Sequence, residues 1–334
     1  MPRRVAEQVV VVTGASSGIG RAVARAFGAK GARVGLIARN AEALEHAAEE
    51  IVQAGGEAMP LPLDVADASE VDRAADAVVG RWGRLDTWVN DAMVSVFSPV
   101  KQMRPEEYRR VTEVTYLGTV HGTLAALRHM LPRDQGTILQ IGSALAYRSI
   151  PLQSAYCAAK AAIRGFTDSL RSELIHDRSR VKVSMLQLPA VNTPQFDVVR
   201  SRLPRHPQPI PPIFQPEVVA QAVLRVAEKP VREMWIAGSA WKAILGQRTI
   251  PGFLDEYLAV EGYRAQQTDE LMAPEHPDNL DAPLPGDRGA HGDFDARARS
   301  RSLQLWARLH AGALAASAAA LVLAAGLGTR AALR

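Results

Sequence analysis

The chain holds a single cysteine, Cys157, in 334 residues. No disulfide framework and no cysteine-built metal site can be made from one thiol, and a reducing compartment is the natural setting. Aromatic residues are scarce at 5%, and no run of lysine or arginine is interleaved with them. Nucleic-acid binding is therefore not expected. A strong charge imbalance is missing too: 39 Lys+Arg stand against 35 Asp+Glu, a formal +4. Both signs are mixed over most of the chain, which argues against wholesale disorder. His121 and His129 fall on one helix with no partners at metal-ligand spacing, so they read as surface or interface residues and no metal is expected. Glu7 and Gln8 interrupt any signal-peptide core and Gly14 ends the apolar run early, so the start reads as a first strand rather than an export signal.

What is present is an alternation. Strand-like segments at Val9–Thr13, Arg33–Ala38, Glu57–Leu63, Leu85–Asn90, Gly136–Gly142, Val181–Leu188 and Arg232–Ala237 are separated by helix-like ones. The helical stretches are Arg21–Lys30, Ala41–Ala54, Ala68–Trp82, a long helix from Pro105 toward His129, Ser154–His176 and Glu217–Glu228. This rhythm predicts an α/β fold, a Rossmann-type doubly wound parallel sheet of about seven strands with helices on both faces. In such sheets ligands bind beyond the carboxyl ends of the strands, where the strand order reverses. Two segments break the rhythm. Eight of the 21 prolines fall between Pro189 and Pro216, too long a stretch for an ordinary connection, which reads as a lid or a partner-docking loop. Pro274–Arg299, rich in Pro, Asp and Gly, reads as a surface extension or linker. The expected organisation is a catalytic domain over 1–240, an extension and linker over 241–300, and an apolar C-terminal helix over 301–334.

Between the first strand and first helix lies Thr13-Gly14-Ala15-Ser16-Ser17-Gly18-Ile19-Gly20. Gly14 can take a backbone shape other residues resist. Gly18 lets a phosphate approach the backbone, Gly20 lets the helix pack closely on the sheet, and the helix N-terminus offers free N–H groups to a pyrophosphate. With its G-x-x-x-G-x-G spacing, this turn resembles the T-G-x-x-x-G-x-G fingerprint of the short-chain dehydrogenase/reductase family, in its short single-domain branch. The resemblance runs from about Val9 to Ala237.

The end of the second strand faces the adenosine ribose. An acidic residue there suits NAD, a cation suits the 2′-phosphate of NADP. The sequence reads Ala38-Arg39, which favours NADP(H), since a planar guanidinium matches a phosphate. By resemblance Asp64-Val65 touches the adenine. Tyr156 and Lys160 stand at i and i+4 on one helix face. A nearby ammonium is expected to lower the phenol's pKa and make Tyr156 a general acid or base. With Ser143 at the end of the fifth strand they match the family's Ser, Tyr-x-x-x-Lys pattern. That match implies that Tyr156 moves the proton, Lys160 tunes it and holds the nicotinamide ribose, and Ser143 orients the substrate. Cys157 reads as a small packed side chain.

Three departures stand out. The family's Asn-Asn-Ala-Gly is Asn90-Asp91-Ala92-Met93 here; Asn90 and Ala92 can still serve, while Met93 replaces a permissive glycine. Thr115 falls where an asparagine is usual, its backbone carbonyl still able to join a water relay on the lysine. Pro189-Ala190 replaces Pro-Gly, with Thr193 left to meet the nicotinamide amide or the phosphates. The cofactor set implied is Gly14, Ser16, Ser17, Gly18, Ile19, Gly20, Arg39, Asp64, Val65, Asn90, Ala92, Tyr156, Lys160 and Thr193.

No charge occurs over 311–328, and Arg297, Arg299, Arg301 and Arg308 precede it. The length suits a spanning helix, whereas the alanine content suits a helix packed on the domain or a partner. The expected location is cytoplasmic, with attachment to the inner face of a membrane as one alternative. The expected activity is reversible carbonyl reduction or alcohol oxidation on a small molecule. The family's habit is a homodimer or homotetramer through the long helices after the fourth and fifth strands. A non-catalytic NADP-binding sensor or scaffold is the alternative that Thr115 and Met93 motivate. The glycine spacing argues against an epimerase or dehydratase of the extended branch.

Overall fold

The computed structural model describes residues 3–273 and 276–312. Its centre is β1 (Val9–Thr13), five residues all buried. Side chains alternate across a strand, so Val9 and Val11 enter one apolar core while Val10 and Val12 enter the other. A continuous β-branched run is what a strand covered on both faces requires.

Six further strands extend the sheet: β2 (Arg33–Ala38), β3 (Glu57–Pro62), β4 (Thr87–Asn90), β5 (Thr137–Ser143), β6 (Lys182–Leu188) and β7 (Glu233–Trp235). Their order is β7-β6-β5-β4-β1-β2-β3, and every pair is parallel. The chain runs outward from β1 to β3, then returns to β4 on the other side of β1. The order reverses there, so the crevice opens above β1 and β4. Thr13, last residue of β1, ties this corner: its hydroxyl accepts from the N–H groups of Asp91 at 3.0 Å and Ala92 at 3.1 Å.

On one face α1 (Gly18–Gly28), α2 (Ala41–Gln53) and α7 (Pro216–Glu228) bury Val23, Phe27, Leu44, Ile51, Val219 and Val223. On the other, α3 (Ala68–Trp82), α5 (Gly118–Met130) and α6 (Ser154–His176) bury Val71, Val78, Ala125, Met130 and Leu170. The sequence expectation started α1 at Arg21; it starts at Gly18, because the glycine turn itself forms the first helical residues. The long helix from Pro105 is α4 (Pro105–Val111), a π-helical stretch over Thr112–Leu117, then α5. Widened turns of this kind are frequent at functional sites.

The proline-rich stretch is laced down rather than free. Ala190–Val191 pairs with Ile213–Phe214, Arg200–Ser201 with Val96–Phe97, and Arg205–Pro207 with Gln267–Leu271. After β7 come α8 (Gly238–Thr249) and α9 (Pro251–Tyr257). The last helix among the described residues, α10 (Leu303–Leu309), returns to β7, where Ser302 donates to the Ile236 carbonyl at 2.5 Å. Among the described residues no helix is long and apolar enough to cross a membrane. The uncharged run from 313 onward lies outside them.

Helix and sheet approach closely at Gly122, where a Cβ would sit 2.3 Å from Asn90 Oδ1 and 2.5 Å from Trp88 Nε1. Gly122→Ala should therefore destabilise the protein by about 1–3 kcal/mol, the usual cost of overpacking a filled core. Urea unfolding would read this as a lower midpoint at unchanged slope.

Candidate active site

The cleft above the switch point has a volume of about 200 Å³ and is lined on one bank by Gly14, Ser16, Ser17, Gly18 and Ile19. Gly14 and Gly18 have φ of +74° and +58°, a region that favours glycine. Space is as restrictive as conformation. A Cβ on Gly14 would lie 3.0 Å from the Ala92 backbone, and one on Gly18 would lie 3.3 Å from Thr193. Gly20 does not line the cleft but underlies it, its Cα against the Gly14 carbonyl. The result is a bare backbone cradle at the start of α1, where N–H groups and the helix dipole favour an anion.

The opposite bank is formed by Ala38, Arg39, Asp64, Val65, Asp91, Ala92, Met93 and Thr193. Ala38 brings no carboxylate to the rim. The two terminal nitrogens of Arg39 donate to the main-chain carbonyls of Asn279, Leu280 and Asp281, from a segment more than two hundred residues away. Burial, with Arg110 close by, lowers the pKa of Arg39. Asp64 is ion-paired with Arg110, a partner the sequence did not point to.

Asn90 departs from expectation. It is buried and does not line the cleft. Its oxygen accepts from Trp88 Nε1 at 2.8 Å, and its amide donates to Thr123 at 3.1 Å and Gln140 at 2.9 Å. With those bonds made inside the core, its side chain fastens β4 to α5 and β5 and does not face the cleft. The cleft residue of this corner is Asp91, which sequence reasoning passed over although it sits inside the quoted motif. Thr115 braces the same corner: its hydroxyl accepts from Val94 N at 3.1 Å and donates to Val94 O at 3.0 Å. The Thr115 carbonyl accepts from Thr119 at 3.0 Å.

Ser143, Tyr156 and Lys160 come together beside Asp91. Ser143 ends β5 and accepts from Leu145 N at 3.1 Å. Tyr156 and Lys160 lie one turn apart on α6, the lysine Nζ 5.6 Å from the phenol ring centroid. Lys160 is buried and donates to the Ile141 carbonyl at 2.6 Å. Burial pushes its pKa down to about 8 against the pull of Asp91. Asp91 itself is pushed up to about 7 by burial, with Lys160 and the Gly20 N–H opposing. The expected lowering of the tyrosine does not occur in this state. Burial raises Tyr156 well above an ordinary phenol, and Ser143 works against that rise. The lysine's hydrogen bond goes to a backbone carbonyl, and desolvation is the larger effect.

Among the described residues no group of three or more His, Cys, Asp and Glu could hold a metal. His121 bonds the Val65 carbonyl at 2.9 Å and His129 lies 2.9 Å from Asp76. Cys157 is buried and free.

The short chain dehydrogenase family model matches residues 8–203. The "Uncharacterized oxidoreductase YxnA" of Bacillus subtilis (strain 168) is 34% identical over 274 residues, 81% of this chain and 77% of that protein. A metagenomic short-chain oxidoreductase solved in complex with NADP superposes with a TM-score of 0.58 at 30% identity, covering 68% of this chain and 96% of that one. An alcohol dehydrogenase from Thermococcus sibiricus, complexed with 5-hydroxy-NADP, gives 0.60 at 29% identity over 68% and 95%. The chain belongs to the short-chain dehydrogenase/reductase family of oxidoreductases.

Asp91 is the anion that holds the Lys160 pKa up. In Asp91→Asn the lysine should titrate lower than its present value near 8, by about one unit or more for a lost neighbouring charge. The ¹³Cε shift of Lys160 against pH checks this, and an unmoved titration would remove Asp91 from the lysine's surroundings.

Proposed function

We propose that this protein catalyses reversible reduction of a carbonyl, or oxidation of an alcohol, with NADP(H), and that Tyr156 carries the proton. The observation behind the reading is the convergence of Ser143, Tyr156 and Lys160 around Asp91, the carboxylate that lines the glycine cleft although the three themselves do not. The backbone of Gly14–Ile19 suits the pyrophosphate, Asp64 and Val65 suit the adenine, and Thr193 closes over Gly18. When bound, the nicotinamide supplies or accepts the hydride.

The protein's own share is proton handling and positioning. In the reduction direction the Tyr156 hydroxyl gives its proton to the substrate oxygen as negative charge develops there. The Ser143 hydroxyl donates a second hydrogen bond to that oxygen and holds it beside the phenol. Lys160, protonated below its pKa near 8, offsets the charge left on the phenolate and donates to the ribose. A phenol this strongly desolvated keeps its proton until a substrate oxygen or a cation arrives, which suits a donor more than a resting base. The empty rim at Ala38 and the cation Arg39 are the grounds for NADP(H) over NAD(H). Leu117, Leu124 and Ile175 stand exposed on the elements that would meet a second subunit in a homodimer or homotetramer.

Two measurements test the reading. Tyr156→Phe should lower kcat by ~10²–10⁴-fold, the share of a positioned general acid, while NADPH still binds by fluorescence titration; undiminished turnover would overturn it. Arg39→Ala should weaken NADPH about tenfold or more relative to NADH, as loss of a charged hydrogen bond implies; equal effects on both cofactors would remove Arg39 from the 2′-phosphate.

A further inference from the structure

Residues 278–289 do not trail from the fold. They contribute to the wall of the cleft. At the adenosine end Arg200 pairs with Asp278 at 2.8 Å and Asp281 at 2.7 Å. Arg39 and Arg110 donate to the carbonyl of Leu280, at 3.3 Å and 3.1 Å, and Leu280 is fully buried. Further along, the Asn40 amide donates to Leu284 O at 2.8 Å and Gly286 O at 3.0 Å. Asp287 pairs with Arg21, itself 1% exposed, at 2.8 Å, and with His46 at 3.2 Å. The segment reaches the glycine turn where Gly18 N–H donates to Gly289 O at 3.0 Å. Beyond it Gly292 packs so closely on the Thr193 carbonyl that a Cβ would stand 2.4 Å away.

The space beneath is not filled. Asn279, Pro283, Leu284, Gly286 and Arg288 line the same cleft as the glycine turn, from its outer side. Arg288 makes no hydrogen bond or ion pair with the described residues, and its charge is felt by Asp197 and His276. It adjoins Gly289, whose carbonyl takes the Gly18 N–H at the start of α1, where the helix dipole draws an anion. A guanidinium with open donors at such a place matches a phosphate.

We propose that residues 278–289 form the roof of the dinucleotide site, closing over the bound cofactor, with Arg288 reaching its pyrophosphate from above. This rests on reading the cleft as a dinucleotide site. The carbonyl bonds to Arg39 then orient a guanidinium before a ligand arrives, which cuts the ordering cost of binding. The roof is held mostly by polar contacts at its rim, and Leu280 is its one buried apolar side chain, so it opens locally without unfolding the sheet. Arg21 keeps Glu50 at 2.9 Å when Asp287 lets go, so opening does not strand a buried charge. Cofactor exchange is thereby gated by the roof.

The test uses the full-length protein loaded with NADPH and chased with excess NADP⁺, following energy transfer from tryptophan to the reduced cofactor. Asp287→Ala should release NADPH about tenfold faster or more, since lid opening sets such rates. Arg288→Ala should raise the Kd of NADPH and NADH alike, about tenfold, as expected for one charged hydrogen bond to a group both share. In the unmutated protein NADPH should slow tryptic cleavage after Arg288, a readout that also decides the matter if Asp287→Ala fails to fold. Unchanged release, unchanged Kd and unprotected cleavage would overturn the roof. Tighter binding in Asp287→Ala would overturn it as well, making the segment a competitor for the cleft. If the protein binds NADPH but these changes are silent, the roof alone fails; if it binds neither NADPH nor NADH, the dinucleotide reading fails with it.

Discussion

Gly20 leaves no room for a methyl group: a Cβ there would stand 2.2 Å from the Gly14 carbonyl oxygen and 3.0 Å from Asp91 Oδ2. That contact brings the first turn of α1 down onto the end of β1 and the corner after β4 against both. Thr13 completes the joint through its hydroxyl, which holds the N–H groups of Asp91 and Ala92. Three segments that meet so tightly can only do so as bare backbone, and bare backbone is what a phosphate can approach. The cradle, the position of Asp91 and the direction of the α1 dipole all follow from one missing side chain.

The same closeness shapes the electrostatics. Asp91 is half-buried against Gly20 at the wall of the cleft, and desolvation raises its carboxyl to about 7, while the more deeply buried Lys160 falls to about 8. Each is the other's opposing influence, which leaves both near neutrality instead of at the ends of the pH scale. Tyr156 lies in the same enclosure and is raised by it. A site of three desolvated titratable groups is sensitive to any added charge, because there is little water to screen it. Ligand charge and protonation state are therefore coupled here more strongly than they would be on an open surface.

Much of this was legible in the sequence, for identifiable reasons. The central strands show because buried parallel strands are written as continuous apolar runs, with β1 the plainest case, whereas β3, with no buried residue, shows through the rhythm of the elements around it. The glycine turn shows because its spacing is a steric requirement. Asn90 was visible as a motif residue, but the direction of its side chain was not. That direction depends on Trp88, Thr123 and Gln140, three residues whose partnership exists only once β4, α5 and β5 are packed. Arg39 was visible as a cation at the right strand end, yet the carbonyls that hold it come from Asn279, Leu280 and Asp281. Main-chain acceptors have no signature in sequence, and a stretch rich in Pro, Asp and Gly announces only that it is irregular. The tertiary role of 278–289 was thus the least readable feature of the chain.

The bonds that fasten this segment join residues far apart in the chain: 241 positions between Arg39 and Leu280, 266 between Arg21 and Asp287. Contacts of such span cannot form until residues 280–287 have left the ribosome, whereas the residues of β1, α1 and β2 are available to one another far earlier. Closing so long a loop in an unfolded chain is entropically unfavourable, but after the sheet has assembled the two ends are already held near each other. The nascent protein accordingly passes through a stage with its glycine turn made and one bank of the cleft still open to solvent. Synthesis order thus makes the outer wall of the cleft the last part of that site to mature.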